Sequence, residues 1–128
     1  MKKLILVVAA MSVSATAAFA SDAIVREKVV SILDAYVPAG FDSRSEAFVV
    51  VNGLFGNTCY KLKDVKVEHS SATLHEVSAI AEVRSGLCAG GIAPFHKEAP
   101  LGRLVSGKHS IRFLNGDGSY TQKTLFIK

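Results

Sequence analysis

The chain has 128 residues, 15 Lys and Arg against 11 Asp and Glu, a formal net charge of +4, 49% apolar residues, two cysteines and no tryptophan. The positive charge is spread without a basic run, so the footprint of a nucleic-acid binder is missing and no nucleic acid is expected as partner. No apolar stretch reaches the roughly 20 residues that a membrane-spanning helix requires, so no membrane span is expected.

The chain begins with Lys2 and Lys3, then the apolar run from Leu4 to Met11, then small residues ending in Ala18-Phe19-Ala20. A basic segment, a short apolar core and a small-x-small ending make a secretory leader. Residues 1–20 are therefore expected to be a cleaved signal peptide, leaving residues 21–128 as one domain in the periplasm or outside a bacterial cell. Position 21 is Ser and no Cys lies near the cleavage site, so a lipid anchor is not expected. Loss of Lys2 and Lys3 lowers the net charge from +4 to +2, and Met1 and Met11 leave with them. A copper site of the His/Met type is thereby excluded.

In the segment from 21 to 37, Val25, Val29, Ile32, Leu33 and Tyr36 recur at helical spacing, yet Val29 to Val37 also suits a strand. A strand over about Lys28 to Val37 is favoured, ended by Pro38-Ala39-Gly40. Phe48 to Val51 is a β-branched and aromatic run that Asn52-Gly53 would close with a turn. Cys59, Tyr60 and Leu62 open the next strand. Its apolar phase switches near Lys63-Asp64 before Val65 and Val67, which predicts a bulge. Ser70 to Thr73 reads as a hairpin loop.

Val77, Ala79, Ala81 and Val83 alternate with Ser78, Ile80 and Glu82 as a half-buried strand. Pro94 and Pro100 bracket Phe95 to Ala99, which places this stretch at a sheet edge or in a bulged connection. His109, Ile111 and Phe113 alternate with Lys108, Ser110 and Arg112. Asn115-Gly116-Asp117-Gly118 turns this strand back into Tyr120 to Ile127. Short strands about ten residues apart with turn signals between them argue an all-β chain, an antiparallel sandwich.

In an oxidising compartment Cys59 and Cys88 are expected to form one disulfide. Closing a loop of about 30 residues stabilises by roughly 3–4 kcal/mol in the chain-entropy model. No Cys-x-x-Cys occurs, so a redox-active pair is not expected.

Asn57-Thr58-Cys59-Tyr60, then Cys88, Pro94-Phe95, and Leu101-Gly102-x-Leu104-x-x-Gly107-x-His109 resemble small secreted bacterial proteins with an immunoglobulin-like β-sandwich. The resemblance covers about Val49 to Ile127 and implies that fold with one disulfide, without carrying over any catalytic or ligand residue. Where the pattern has Tyr, this chain has His109. Leu-x-x-Gly-x-Tyr resembles a tyrosine corner, whose hydroxyl bonds to backbone a few residues upstream. His109 is therefore a candidate corner residue.

The chemistry-bearing residues are few. Of His69, His75, His96 and His109, no two stand at i, i+2 or i, i+4, the spacings that align ligands on one face. His69 and His75 can meet across the 70–73 loop and are the candidates for a metal or small ligand. There is no Gly-x-Ser-x-Gly around which Asp34 or Asp117 could complete a hydrolase. Residues 115–118 lack the closing Glu of a calcium loop. The glycines of 86–91 do not open a helix onto a phosphate. No catalytic residue and no cofactor are assigned, and an enzyme is not expected.

The expected function is an exported non-enzymatic binding or envelope-associated structural module with an unidentified protein or envelope partner; no oligomeric state follows from the sequence. A first alternative is an inhibitor of a protease or other hydrolase, presenting Leu54, Phe55, Gly56 and Asn57 on a 53–58 loop. Burial of Phe55 would count against it. A second is metal or small-ligand binding through histidines, which needs rings within about 4–5 Å of each other to share an ion.

Overall fold

A computed structural model describes Ser14 and residues 24–128. The expected leader, residues 1–20, lies outside the described residues apart from Ser14.

Where apolar residues alternate with polar ones, the chain forms strands, because successive side chains of a strand point to opposite faces. Eight result: β1 (Val25–Val30), β2 (Asp34–Tyr36), β3 (Ala47–Asn57), β4 (Tyr60–His69), β5 (Leu74–Arg84), β6 (Gly90–Gly102), β7 (Gly107–Leu114) and β8 (Tyr120–Ile127). No helix occurs among the described residues. The strands make two sheets, one of β2, β3 and β6 in that order, the other of β4, β5, β1, β7 and β8. In the larger sheet β4 covers one edge of β5, while β1 and β7 share the other. β8 lies outside β7.

The facing sides of the two sheets supply one core. Val49, Val51 and Phe55 come from β3, Phe95, Ala99 and Leu101 from β6. Val77, Ala79 and Ala81 come from β5, Ile111 and Phe113 from β7, Leu125 and Ile127 from β8. Full burial of a Val, Leu, Ile or Phe side chain contributes about 1.5–3 kcal/mol, so this layer between the sheets is the main favourable term.

Three sequence expectations change. The strand expected over Lys28 to Val37 is two strands in different sheets: β1 pairs with β5 and β2 with β3. The chain crosses between them at Ser31–Leu33, burying Ile32, and Leu33 N–H donates to the Asn52 carbonyl at 2.9 Å. The turn expected at Asn52-Gly53 is also absent. β3 runs straight through, pairing Asn52 with His96 and Gly53 with Phe95. Gly53 serves space and not a turn, since a Cβ there would lie 2.2 Å from Cζ of the Phe95 ring. Finally, the sandwich is not wholly antiparallel, because Leu74–Val77 of β5 pairs in parallel with Ser110–Phe113 of β7. β6, in the opposite sheet, is the crossover that a parallel pair requires.

Other expectations stand. The β4–β5 register shifts between Leu62 and Asp64, where the phase switch lies. β6 pairs with β3 alone and carries Pro94 and Pro100 opposite Leu54 and Phe48, as an edge strand. β7 and β8 form a hairpin whose turn closes by Gly118 N–H donating to the Asn115 carbonyl at 3.1 Å. Cys59 and Cys88 stand at disulfide distance, Cα to Cα 5.3 Å. They tie the β3–β4 corner to the β5–β6 connection, where Thr58 N–H donates to the Ala89 carbonyl at 3.0 Å.

Candidate functional site

The candidate partner loop is a strand. Leu54, Phe55, Gly56 and Asn57 complete β3. Strand alternation turns Phe55 inward, where it is 6% exposed. Its ring stacks on Phe95 at 4.7 Å and on Tyr60 at 5.7 Å between centroids. The exposed, rigid 53–58 loop that an inhibitor would present therefore does not exist, because the core claims Phe55 and the β3–β6 ladder claims the backbone.

The same alternation turns Leu54 outward, 50% exposed. It borders a groove of about 580 Å³ between β1, the β1–β2 crossing, the end of β3 and the β7–β8 turn. Leu33, 63% exposed, lies on the other side. Phe55 and Tyr60 also line the groove, with Lys28 and Asp117 as charged groups. Asp117 accepts from the Ser119 hydroxyl at 2.6 Å and from the Ser119 N–H at 2.9 Å. These bonds hold its carboxyl below the usual range, so it is ionised at neutral pH. The turn packs closely against the crossing, since a Cβ on Gly116 would lie 2.9 Å from the Val29 carbonyl oxygen. Leu54, Phe55, Gly56 and Asn57 of the groove are the residues of the expected 53–58 loop. Leu33 joins them only because the chain changes sheets there.

The histidines form a second constellation. The β4–β5 hairpin pairs His69 with His75 in register, across the expected 70–73 loop. The parallel β5–β7 pairing then brings His109 to the other side of His75. Ring centroids are 4.8 Å apart for His69 and His75 and 5.1 Å apart for His75 and His109. Nδ1 of His69 lies 2.6 Å from Nδ1 of His75, and Nε2 of His75 lies 2.9 Å from Nδ1 of His109. Nε2 of His109 lies 2.6 Å from the Val105 carbonyl oxygen. That last bond runs from the ring to the backbone four residues upstream.

The Val105 carbonyl orders the whole row. A carbonyl only accepts, so in a row of neutral imidazoles His109 carries its proton on Nε2 and presents a lone pair at Nδ1. His75 must then donate from Nε2, which leaves a lone pair at its own Nδ1. His69 donates to that lone pair from Nδ1. His75 is 1% exposed and His109 fully buried, whereas His69 is exposed. Burial, with the neighbouring rings of His69 and His109, lowers the His75 pKa to about 4, so the ring is neutral at physiological pH. The spacing across the 70–73 loop links His69 and His75 alone. The connection to His109 depends on a parallel pairing that strand patterns do not reveal.

His96 stands apart on β6, its Nδ1 against Asn52 Oδ1. Asp34 and Asp117 do not share a site: Asp34 faces Lys123 at 3.6 Å, and Asp117 closes the β7–β8 turn. Among the described residues no group of three or more His, Cys, Asp or Glu converges to hold a metal.

The family model of the ORF11 beta-sandwich domain matches residues 49–125, more than half of the chain. The chain belongs to this family. The matched region runs from β3 into β8 and takes in both cysteines and His69, His75 and His109; β1 and β2 precede it. Family membership establishes the β-sandwich part of the resemblance noted above. No curated protein and no solved structure matches the chain.

Proposed function

We propose that the chain is an exported, non-enzymatic binding module with an immunoglobulin-like sandwich, and that it receives an apolar segment of a protein or envelope partner in the groove beside Leu33 and Leu54. The groove carries this reading. Its volume of about 580 Å³ falls within the usual range of ligand sites. It holds two large exposed aliphatic side chains over a stacked aromatic floor. Lys28 and Asp117 would orient what enters.

Two of the free edges, β6 and β4, are poor templates for a further strand, which supports the groove as the mode of binding. Pro94 and Pro100 deprive the free edge of β6 of donors. The outer strand β4 carries Lys61, Lys63 and Lys66 and a bulge, devices that discourage a further strand. Export is supported by the leader pattern and by the cysteines at disulfide distance.

The test uses residues 21–128 as bait against bacterial envelope extract, beside the Leu33→Asp/Leu54→Asp variant. A partner retained by the native protein and lost by the variant is the expected result. Equal capture by both would place binding elsewhere and reject the groove. Export is checked by the mass of the protein recovered from expressing cells, which should begin at Ser21; an intact leader would reject it.

A further inference from the structure

We propose that His69 and His75 form a two-histidine site for a borderline transition-metal dication, Zn2+ or Cu2+, and that His109 is a positioning residue which prepares it. The two Nδ1 atoms face each other across the β4–β5 hairpin at 2.6 Å, the only contact the lone pair of His75 makes in the row. A histidine that binds a metal needs one nitrogen free of its proton and the other held by a hydrogen-bond acceptor that sets tautomer and ring orientation. His75 meets both conditions before any ion arrives. His109 accepts from its Nε2–H, and His109 is in turn anchored on the Val105 carbonyl. The orienting groups are buried, and the ligand nitrogen faces His69, the exposed member of the row.

Binding needs one small movement. Metal–nitrogen bonds of about 2.0–2.1 Å at a tetrahedral centre set the two nitrogens roughly 3.3–3.4 Å apart, so the pair must open by about 0.7 Å. His69 can supply this, being exposed as the last residue of β4 beside the 70–73 loop. Its proton moves from Nδ1 to Nε2 by exchange with water, so a neutral His69 stays neutral and its Nδ1 lone pair turns to the ion. Water or a group from a partner takes the remaining coordination positions. Imidazole nitrogen suits both zinc and copper dications, and among the described residues no carboxylate or thiolate joins the pair to favour calcium or iron–sulfur chemistry.

The proposal is tested by titrating chelator-treated residues 21–128 with zinc chloride and, separately, copper sulfate, following heat and the 15N resonances of the histidine rings. One equivalent of at least one ion should bind, with the shift at Nδ1 of His75. His69→Ala, a change at an exposed position, should weaken binding at least tenfold, whereas His96→Ala should leave it unchanged. His109→Tyr should lower affinity by roughly 10–100-fold, as loss of an orienting partner does, and should abolish the single Nε2–H tautomer of His75. Absence of binding by both ions, affinity unchanged in His69→Ala, or a proton on Nδ1 of His75 in the metal-free protein would each overturn it.

Discussion

His75 is the residue at which burial, hydrogen bonding and charge meet. Its ring is buried and its two nitrogens face other histidines, so protonation would place a buried charge beside two further imidazoles. The folded-state pKa of about 4 lies below the ordinary 6.5. A depressed pKa means that the unfolded chain binds the proton more tightly, so the associated stability is fully present above pH 6.5 and is lost as the pH falls toward 4. The full difference corresponds to about 3 kcal/mol. In chelating buffer, urea unfolding should show constant stability from pH 8 to 7 and a steady decline from pH 6.5 to 4. His75→Phe should flatten that decline, and an equally steep decline in this variant would assign it to other groups. The bond of His109 to Val105 lies within the local stretch Leu104-x-x-Gly107-x-His109, four residues apart. Its second bond, to His75, was not legible in the sequence, because nothing in β7 by itself indicates which strand will lie alongside.

At the scale of elements, β3 is instructive. Asn-Gly is a turn signal because both residues tolerate positive φ, and at 52–53 it is overridden by a ladder with β6 on one side and β2 on the other. The Gly53 Cα lies under the Phe95 ring, which is itself clamped by Phe55. Gly53→Ala should therefore overpack this cluster and cost about 1–3 kcal/mol, the usual range for added volume in a filled core. Chemical denaturation measures it, and a neutral or stabilising result would mean that the Phe95 ring moves aside freely. By contrast, β5, β7 and the β7–β8 hairpin follow directly from alternation and from Asn115–Gly118, since each has one buried face and a short local connection. The segment around β1 and β2 is ambiguous in sequence: its apolar residues serve two sheets, so their spacing suits both a helix and a strand without marking the crossing.

For the molecule as a whole, the Cys59–Cys88 tie and the groove stand at the same end of the sandwich, near the β3–β4 corner. The loop it closes spans 29 positions, so the Cys59→Ser/Cys88→Ser variant should lose about 3 kcal/mol of stability. A thermal or urea transition unchanged by the double substitution, or by reduction of the native protein, would show that the hydrogen bonds between Thr58 and Ala89 hold the corner unaided. Its groove should also bind less well, because Asn57 and Tyr60 flank the corner and line the groove.

Composition, alternation and turn residues by themselves determined that this chain is all-β, that the cysteines would be neighbours, and that the stretch between Pro94 and Pro100 belongs at an edge. These properties are local or follow from the two-residue period of a strand. Which side chains share a site was decided by tertiary structure alone. The parallel pairing of β5 with β7 assembles the histidine row, and the crossing at Ser31–Leu33 opens the groove. Both join residues far apart in the chain through strand order and sheet packing, which the free energy of the whole core selects and no single segment encodes.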